Sequence, residues 1–302
     1  MTRVATIPLQ RTLSGALQRS QQNLATSQMQ LTTGKKANDY SGLGLDAVRT
    51  LSARSMLAQQ ESYQSVGSRV GISLTLYNAN LTQIDNSMSD LRTQLLTAVG
   101  TGNSPGLQDQ VEQAFATLRG SLNATEAGIP LFAGAQIDGK PFVPEQLSDL
   151  IGLAPADAFA NDKVLQSSRL GDGIDVEYGI VADEVATNLI PALRTLAEAG
   201  PFNERLTDAQ KTAILQAIDE LDVGLRDVRA INARNGQTQN QVESLEKRAE
   251  DRAILLTEVI GSVEDADLGK VALDISQRKT ILEASYSVFS QLSGLSLVRF
   301  LD

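Results

Sequence analysis

Val70, Leu74, Tyr77, Leu81, Ile84, Met88, Leu91 and Leu95 recur at alternating steps of four and three residues. That spacing keeps one apolar seam on a helix, turned toward a partner helix. Near the other end Val242, Leu245, Ala249, Leu256, Val259, Val263 and Ala266 keep the same rhythm, with Arg252 as the charged intruder. These two stripes are expected to pair with one another. Shorter stripes lie between them: Leu107, Val111, Ala114, Leu118 and Leu122, then Val185, Leu189, Ala192 and Leu196 on a helix resuming near Asp183. Ile214, Ile218, Leu221, Leu225 and Val228 mark the start of a last long helix, capped by Thr207 or Asp208. From about 131 to 182 the period changes, and runs such as IDVEYGIV (174–181) alternate between Gly, Asp and Pro punctuation. Short strands follow from that pattern.

Seven of the eight prolines fall between Pro105 and Pro201, leaving residues 9–104 and 202–302 without any. Proline inside a helix removes a donor and clashes with the preceding turn, at about 3 kcal/mol. The two proline-free arms can therefore carry long helices. A first helix is expected over about 5–33, with Leu13, Leu17, Leu24 and Leu31 on one stripe, ending at Gly34 as a C-terminal cap. After a loop at 35–44, a second helix begins near 41–46 and continues to Val99; unbroken, it would be on the order of 85 Å long. GlyThrGlyAsnSerProGly (100–106) is a turn. The apolar rhythm of the last helix falters between Ile231 and Asn235 and skips again within 263–270. Beyond that skip Val271, Ile275, Leu282, Phe289 and Leu292 define a separate terminal helix.

The fold class is therefore mainly α: a long antiparallel helical coiled-coil rod built from both chain ends, with a small β-rich inserted domain. Residues 1–40 and 264–302 are assigned to a terminal coiled-coil domain, 41–130 and 183–263 to a helical rod domain, and 131–182 to the β-rich outer domain. Because 107–129 and 183–199 carry stripes of their own, residues 135–180 are expected to be removable without unfolding the helices.

Composition narrows the function. Histidine and cysteine are both absent, which removes the commonest general base, the commonest metal ligand and any disulfide. No active site, metal site or cofactor site is assigned, and no enzyme activity is expected. Aromatic content of 4 % with no tryptophan suggests thin aliphatic interfaces rather than one thick core. No run of about 18 apolar residues could span a membrane, and the first twenty residues lack the continuous apolar segment of a cleavable signal.

The net charge of −10 is uneven: residues 131–185 hold ten acids and three bases, and residues 1–40 five bases and one acid. An acidic middle argues against nucleic acid as a partner. GDGIDVEYG (171–179) is the one metal-like string, but it lacks calcium-loop spacing and reads as an acidic turn before a strand. Glu264, Asp265 and Asp267 read as an exposed helix boundary.

The terminal stripes differ from the central ones. Two helices of about 30 and 35 residues bury too little apolar surface to stand alone. Their faces (Leu13, Leu17, Leu24 and Leu31; Val271, Ile275, Leu282, Phe289 and Leu292) are the expected assembly interface.

LTTGKKANDYSGLGLDAVRTLSA (31–53) and VEDADLGKVALDISQRKTILEASYSVFSQLSGLSLVRFL (263–301) resemble the bacterial flagellin superfamily. GIPLFAGAQIDGKPFV (128–143), VEYGIVADEVATNLIPALRTLAEAG (176–200) and SGLSLVRFL (293–301) are closer to its hook–filament junction branch than to filament flagellin. The likeness covers roughly 200 residues, and 144–172 matches nothing recognised. It implies a structural adaptor that joins hook to filament by polymerising through its terminal helices. It also implies partners: copies of itself in a ring or helical assembly, a neighbouring hook-associated protein, flagellin and a cytosolic export chaperone. Location would be the extracellular flagellum, reached by type III export without a cleaved signal. A filament flagellin and another secretion-system coiled-coil protein are the alternatives.

Overall fold

The computed structural model describes the backbone of residues 3–298 and the side chains of 11–291. Seven α-helices are found among them: α1 (Arg3–Thr33), α2 (Asp46–Thr101), α3 (Leu107–Leu122), α4 (Ala182–Ala186), α5 (Ile190–Ala199), α6 (Asp208–Glu264) and α7 (Leu268–Val298). The chain divides into two compact units, Met1–Gln59 with Arg252–Asp302, and Gln60–Asp251.

Helix ends sit where the local chemistry puts them. Gly34 adopts φ +71°, a conformation that costs other L-residues energy, and closes α1. Gly102 and Gly106, at φ +72° and +70°, turn the chain between α2 and α3. Thr207 starts α6 with a reciprocal cap: its hydroxyl accepts from the Gln210 amide at 3.2 Å, and the Gln210 side chain accepts from the Thr207 amide at 3.1 Å. Asp267 caps α7 by accepting from the Lys270 amide at 3.1 Å.

In the 60–251 unit the strict stripe of α2 is fully used. Every residue of it, from Val70 to Leu95, is buried. Its partner on α6 is only in part the stripe expected. Arg92 meets Asp222, Asp85 meets Arg229, the Leu74 carbonyl meets Asn235, and a Cβ on Gly67 would touch Glu246. Val70–Leu95 therefore packs mainly against the Ile214–Val242 part of α6; of the Val242–Ala266 stripe, Val242 and Leu245 join Val70 and Leu74 at one end. The reason is connectivity: the end of α2 and the start of α6 are tied by a bridge between Asn103 and Arg205, so the two helices pair from those ends. The faltering rhythm at 231–235 does not break α6. Asn235 is buried there, and its amide donates to the Leu74 carbonyl at 2.9 Å.

Val185, Leu189, Ala192 and Leu196 are buried as expected, but Val185 lies on α4, Leu189 in the turn after it, and Ala192 and Leu196 on α5. Pro191 has no N–H to offer the turn that holds Thr187, so the chain re-starts as α5. At this bend α6 carries Gly224, where a Cβ would lie 2.4 Å from the Leu189 side chain.

The segment 131–182 contributes one longer hairpin, β3 (Gln166–Gly171) with β4 (Ile174–Tyr178), preceded by the two-residue strands β1 (Thr125–Glu126) and β2 (Ile129–Pro130). The rest is turns. They are not an appendage. Phe132, Phe142, Leu147, Leu150, Ala158 and Ile180 share one core with α2, α3, α5 and α6, while Leu170 and Val176 cover Val70, Leu74, Val242 and Leu245. The Asn123 side chain brackets Phe142, donating to its carbonyl and accepting from its amide, both at 3.0 Å. This segment supplies side chains that the helices bury.

Candidate assembly surface

The unit of Met1–Gln59 and Arg252–Asp302 holds the residues expected to form the interface. α1 packs along α7, and the Gln21 amide is bonded to the Tyr286 hydroxyl. Leu13 and Leu17 from α1 and Phe289 from α7 line one apolar groove of about 300 Å3, together with Ala16, Ile281, Ala284, Ser285 and Val288. Leu24, Ile275 and Leu282 are half-buried, and Val271 is buried. Leu31 does not join them; it is 46 % exposed near the end of α1. The side chain of Leu292 lies outside the described residues.

Little of this unit is covered. Among its described side chains, the buried apolar residues are Ala53, Ile260 and Val271. Leu45, Val48, Met56, Ile254, Leu255 and Leu273 are all more than half exposed, Leu45 at 99 %. Large apolar side chains left this exposed are available for association.

An ionic joint ties the two connections of the unit together. Arg54 donates to both carboxylate oxygens of Glu264 at 2.9 and 2.7 Å, and Lys35 lies 3.4 Å from the same carboxylate and 2.6 Å from Asp265. Backbone bonds run alongside, from the Lys36 amide to the Glu264 carbonyl at 2.7 Å and from the Ala266 amide to the Gly34 carbonyl at 2.8 Å. The Lys36 ammonium donates to the Ser262 and Val263 carbonyls at the end of α6, where the helix leaves acceptors unpaired. Hydrogen bonding and charge from Arg54, and then from Lys35, hold the Glu264 carboxyl below its ordinary range, while Asp265 and Glu264 raise Lys35.

Glu264 is therefore not part of an exposed boundary; it is 7 % exposed and doubly paired. Sequence reading missed this because Arg54 lies far from it along the chain. The acidic turn at 171–179 is structural in a similar way: Tyr63 donates to Asp172 at 3.0 Å, and Arg169 grips Asp175. Among the described residues no group of His, Cys, Asp and Glu could hold a metal ion, and no helix is long and apolar enough to cross a membrane.

Residues 215–301 match the bacterial flagellin C-terminal helical region. Flagellar hook-associated protein 3 of Escherichia coli (strain K12) is 25 % identical over 289 residues, which cover 89 % of this chain and 90 % of that protein. The chain is similar along most of its length to flagellar hook-associated protein 3. The protein of that name from Salmonella typhimurium is 23 % identical over 298 residues, again covering 89 % and 90 %. Two solved structures share the fold. One, of a protein of Vibrio parahaemolyticus assigned as flagellar hook-associated, matches with a TM-score of 0.60 at 14 % identity, over 72 % of this chain and 97 % of that one. The other, FlgL of Bacillus cereus, matches with a TM-score of 0.51 at 17 % identity, over 65 % and 98 %.

Proposed function

We infer that this chain is a structural component of the bacterial flagellum, an adaptor that joins hook to filament by polymerising through its terminal helices. One observation carries the assembly reading: the unit built from both chain ends buries three described apolar residues and leaves Leu45, Val48, Leu273 and their neighbours open. Apolar surface left in water is unfavourable by about 25 cal/mol per Å2, so these faces gain by meeting further helices. Leu13, Leu17, Leu24, Ile275, Leu282 and Phe289 are the proposed contacts between α1 and α7 of one copy and the helices of the next, while Val271 is already buried within its own copy. Copies of this chain, a hook-associated neighbour and flagellin are the proposed partners, with a cytosolic chaperone covering the terminal helices before export. The site of action is the extracellular flagellum.

Replacing Leu282 with Asp tests this. A carboxylate buried in an apolar helix–helix seam must either stay charged at a large desolvation cost or take up a proton, and either way the seam is weakened. Incorporation into the flagellum and swimming should be lost while circular dichroism shows the helices of 60–251 intact; normal swimming would count against the reading. Antibody label on the wild-type flagellum should lie at the hook tip, and label along the whole filament would make the chain a filament flagellin instead.

A further inference from the structure

Asp85 and Arg92 stand seven residues apart on α2, and Asp222 and Arg229 stand seven apart on α6. The helices are antiparallel, so the pairs cross. Arg92 donates to Asp222 at 2.5 and 3.0 Å, and Arg229 donates to Asp85 at 2.7 Å and to the Ser89 hydroxyl at 3.0 Å. Both pairs flank the buried seam and remain partly exposed. As ordinary surface pairs they would add little. Their order along the two helices is what matters.

The seam itself is nearly blind to a shift of one heptad. Its α2 side repeats strictly, and α6 repeats Ile214, Leu221, Val228, Asn235, Val242 and Ala249 at steps of seven. A one-heptad slip lays aliphatic side chains on aliphatic side chains again. Asn235 alone does not forbid it, because a helix presents a backbone carbonyl at every turn. The charges do. Sliding α6 one heptad in one direction places Arg229 against Arg92 and leaves both aspartates unpaired. Sliding it the other way places Asp222 against Asp85 and leaves both arginines unpaired.

We propose that the crossed pairs Asp85–Arg229 and Arg92–Asp222 form a charge code that fixes the register of α2 against α6 by penalising both one-heptad slips. This goes beyond the flagellar reading and does not depend on it. Specificity of this kind rests on repulsion in the wrong state as much as on attraction in the right one.

Charge exchange separates the two. Arg92→Asp with Asp222→Arg keeps both native pairs attractive, yet makes each slipped register attractive as well. Asp85→Arg with Arg229→Asp does the same by an independent route. All four substitutions together restore the alternation with signs reversed. Register is read in the full chain, which has no cysteine of its own, by placing cysteines at Gly67→Cys with Glu246→Cys for the native register. A Cβ at 67 lies 3.5 Å from that of Glu246. Gly67→Cys with Gln239→Cys reports the register one heptad away.

After unfolding and refolding, the otherwise native chain and the fourfold variant should cross-link at 67/246 alone. Either double exchange should lose part of that product, at least twofold, and gain the 67/239 product, because both make the contact between positions 85 and 222 attractive. Complete, unchanged 67/246 cross-linking in both double exchanges would overturn the proposal. So would a fourfold variant that slips as readily as the doubles.

Discussion

Tyr77 serves the core and a turn at once. Its ring meets Phe132 edge-on, with centroids 5.1 Å apart, and its hydroxyl donates to the Leu131 carbonyl at 2.6 Å. The stripe on α2 marks this residue as core; the hydrogen bond depends on a turn more than fifty residues away and has no signature in the local sequence. Tyr77→Phe should destabilise the 60–251 unit by about 1 to 3 kcal/mol, because a buried carbonyl loses its donor. Urea unfolding measures this, and an unchanged midpoint would remove the hydrogen bond from the account. Burial pushes the phenol up from 10.0 to about 12. The folded chain thus holds a proton that the unfolded chain has released above pH 10, and stability falls as pH rises from 10 to about 12. Alkaline unfolding of Tyr77→Phe should lack that component of the pH dependence, and a Tyr77→Phe ultraviolet difference titration should place the missing phenol near pH 12.

At the scale of elements, most boundaries were legible because they rest on near neighbours: Gly34 at the end of α1, Thr207 with Gln210 at the start of α6, Asp267 at the start of α7. The break between α4 and α5 was also local, set by Pro191, yet the continuous apolar stripe across it masked the signal. The joint around Glu264 was not legible, since Lys35, Arg54 and Glu264 meet only when two connections from opposite ends of the chain come together. Glu264 is held below its ordinary value of 4.5, so its contribution is complete above that pH and is lost as pH falls through the folded value. The melting midpoint of the Met1–Gln59 and Arg252–Asp302 unit should drop on acidification below about pH 4.5. Glu264→Gln should melt lower at neutral pH and lose that acid dependence. Equal acid slopes for the two proteins would shift the cause to other carboxylates.

For the whole molecule, the unit of 60–251 should melt as one cooperative body that includes the 131–182 segment. Replacing 135–180 with a Gly/Ser linker removes Phe142, Leu150 and Ala158, each fully buried in the shared core. A single Phe→Ala change of this kind costs about 3 to 5 kcal/mol, so the linker variant should lose its cooperative thermal transition; an undiminished transition would show the helices to be self-sufficient. The sequence alone determined the helical class, the proline-free arms that carry the long helices and the identity of the buried α2 stripe, because periodicity and proline spacing act along one helix at a time. It also carried the likeness to flagellar proteins in its two ends. Which α6 stripe faces which part of α2, the burial of Glu264 and the capture of 131–182 by the helical core were decided only in the tertiary structure. Aliphatic seams are interchangeable to their neighbours. Partner and register are set by chain connectivity and by polar groups that meet only after the chain has folded.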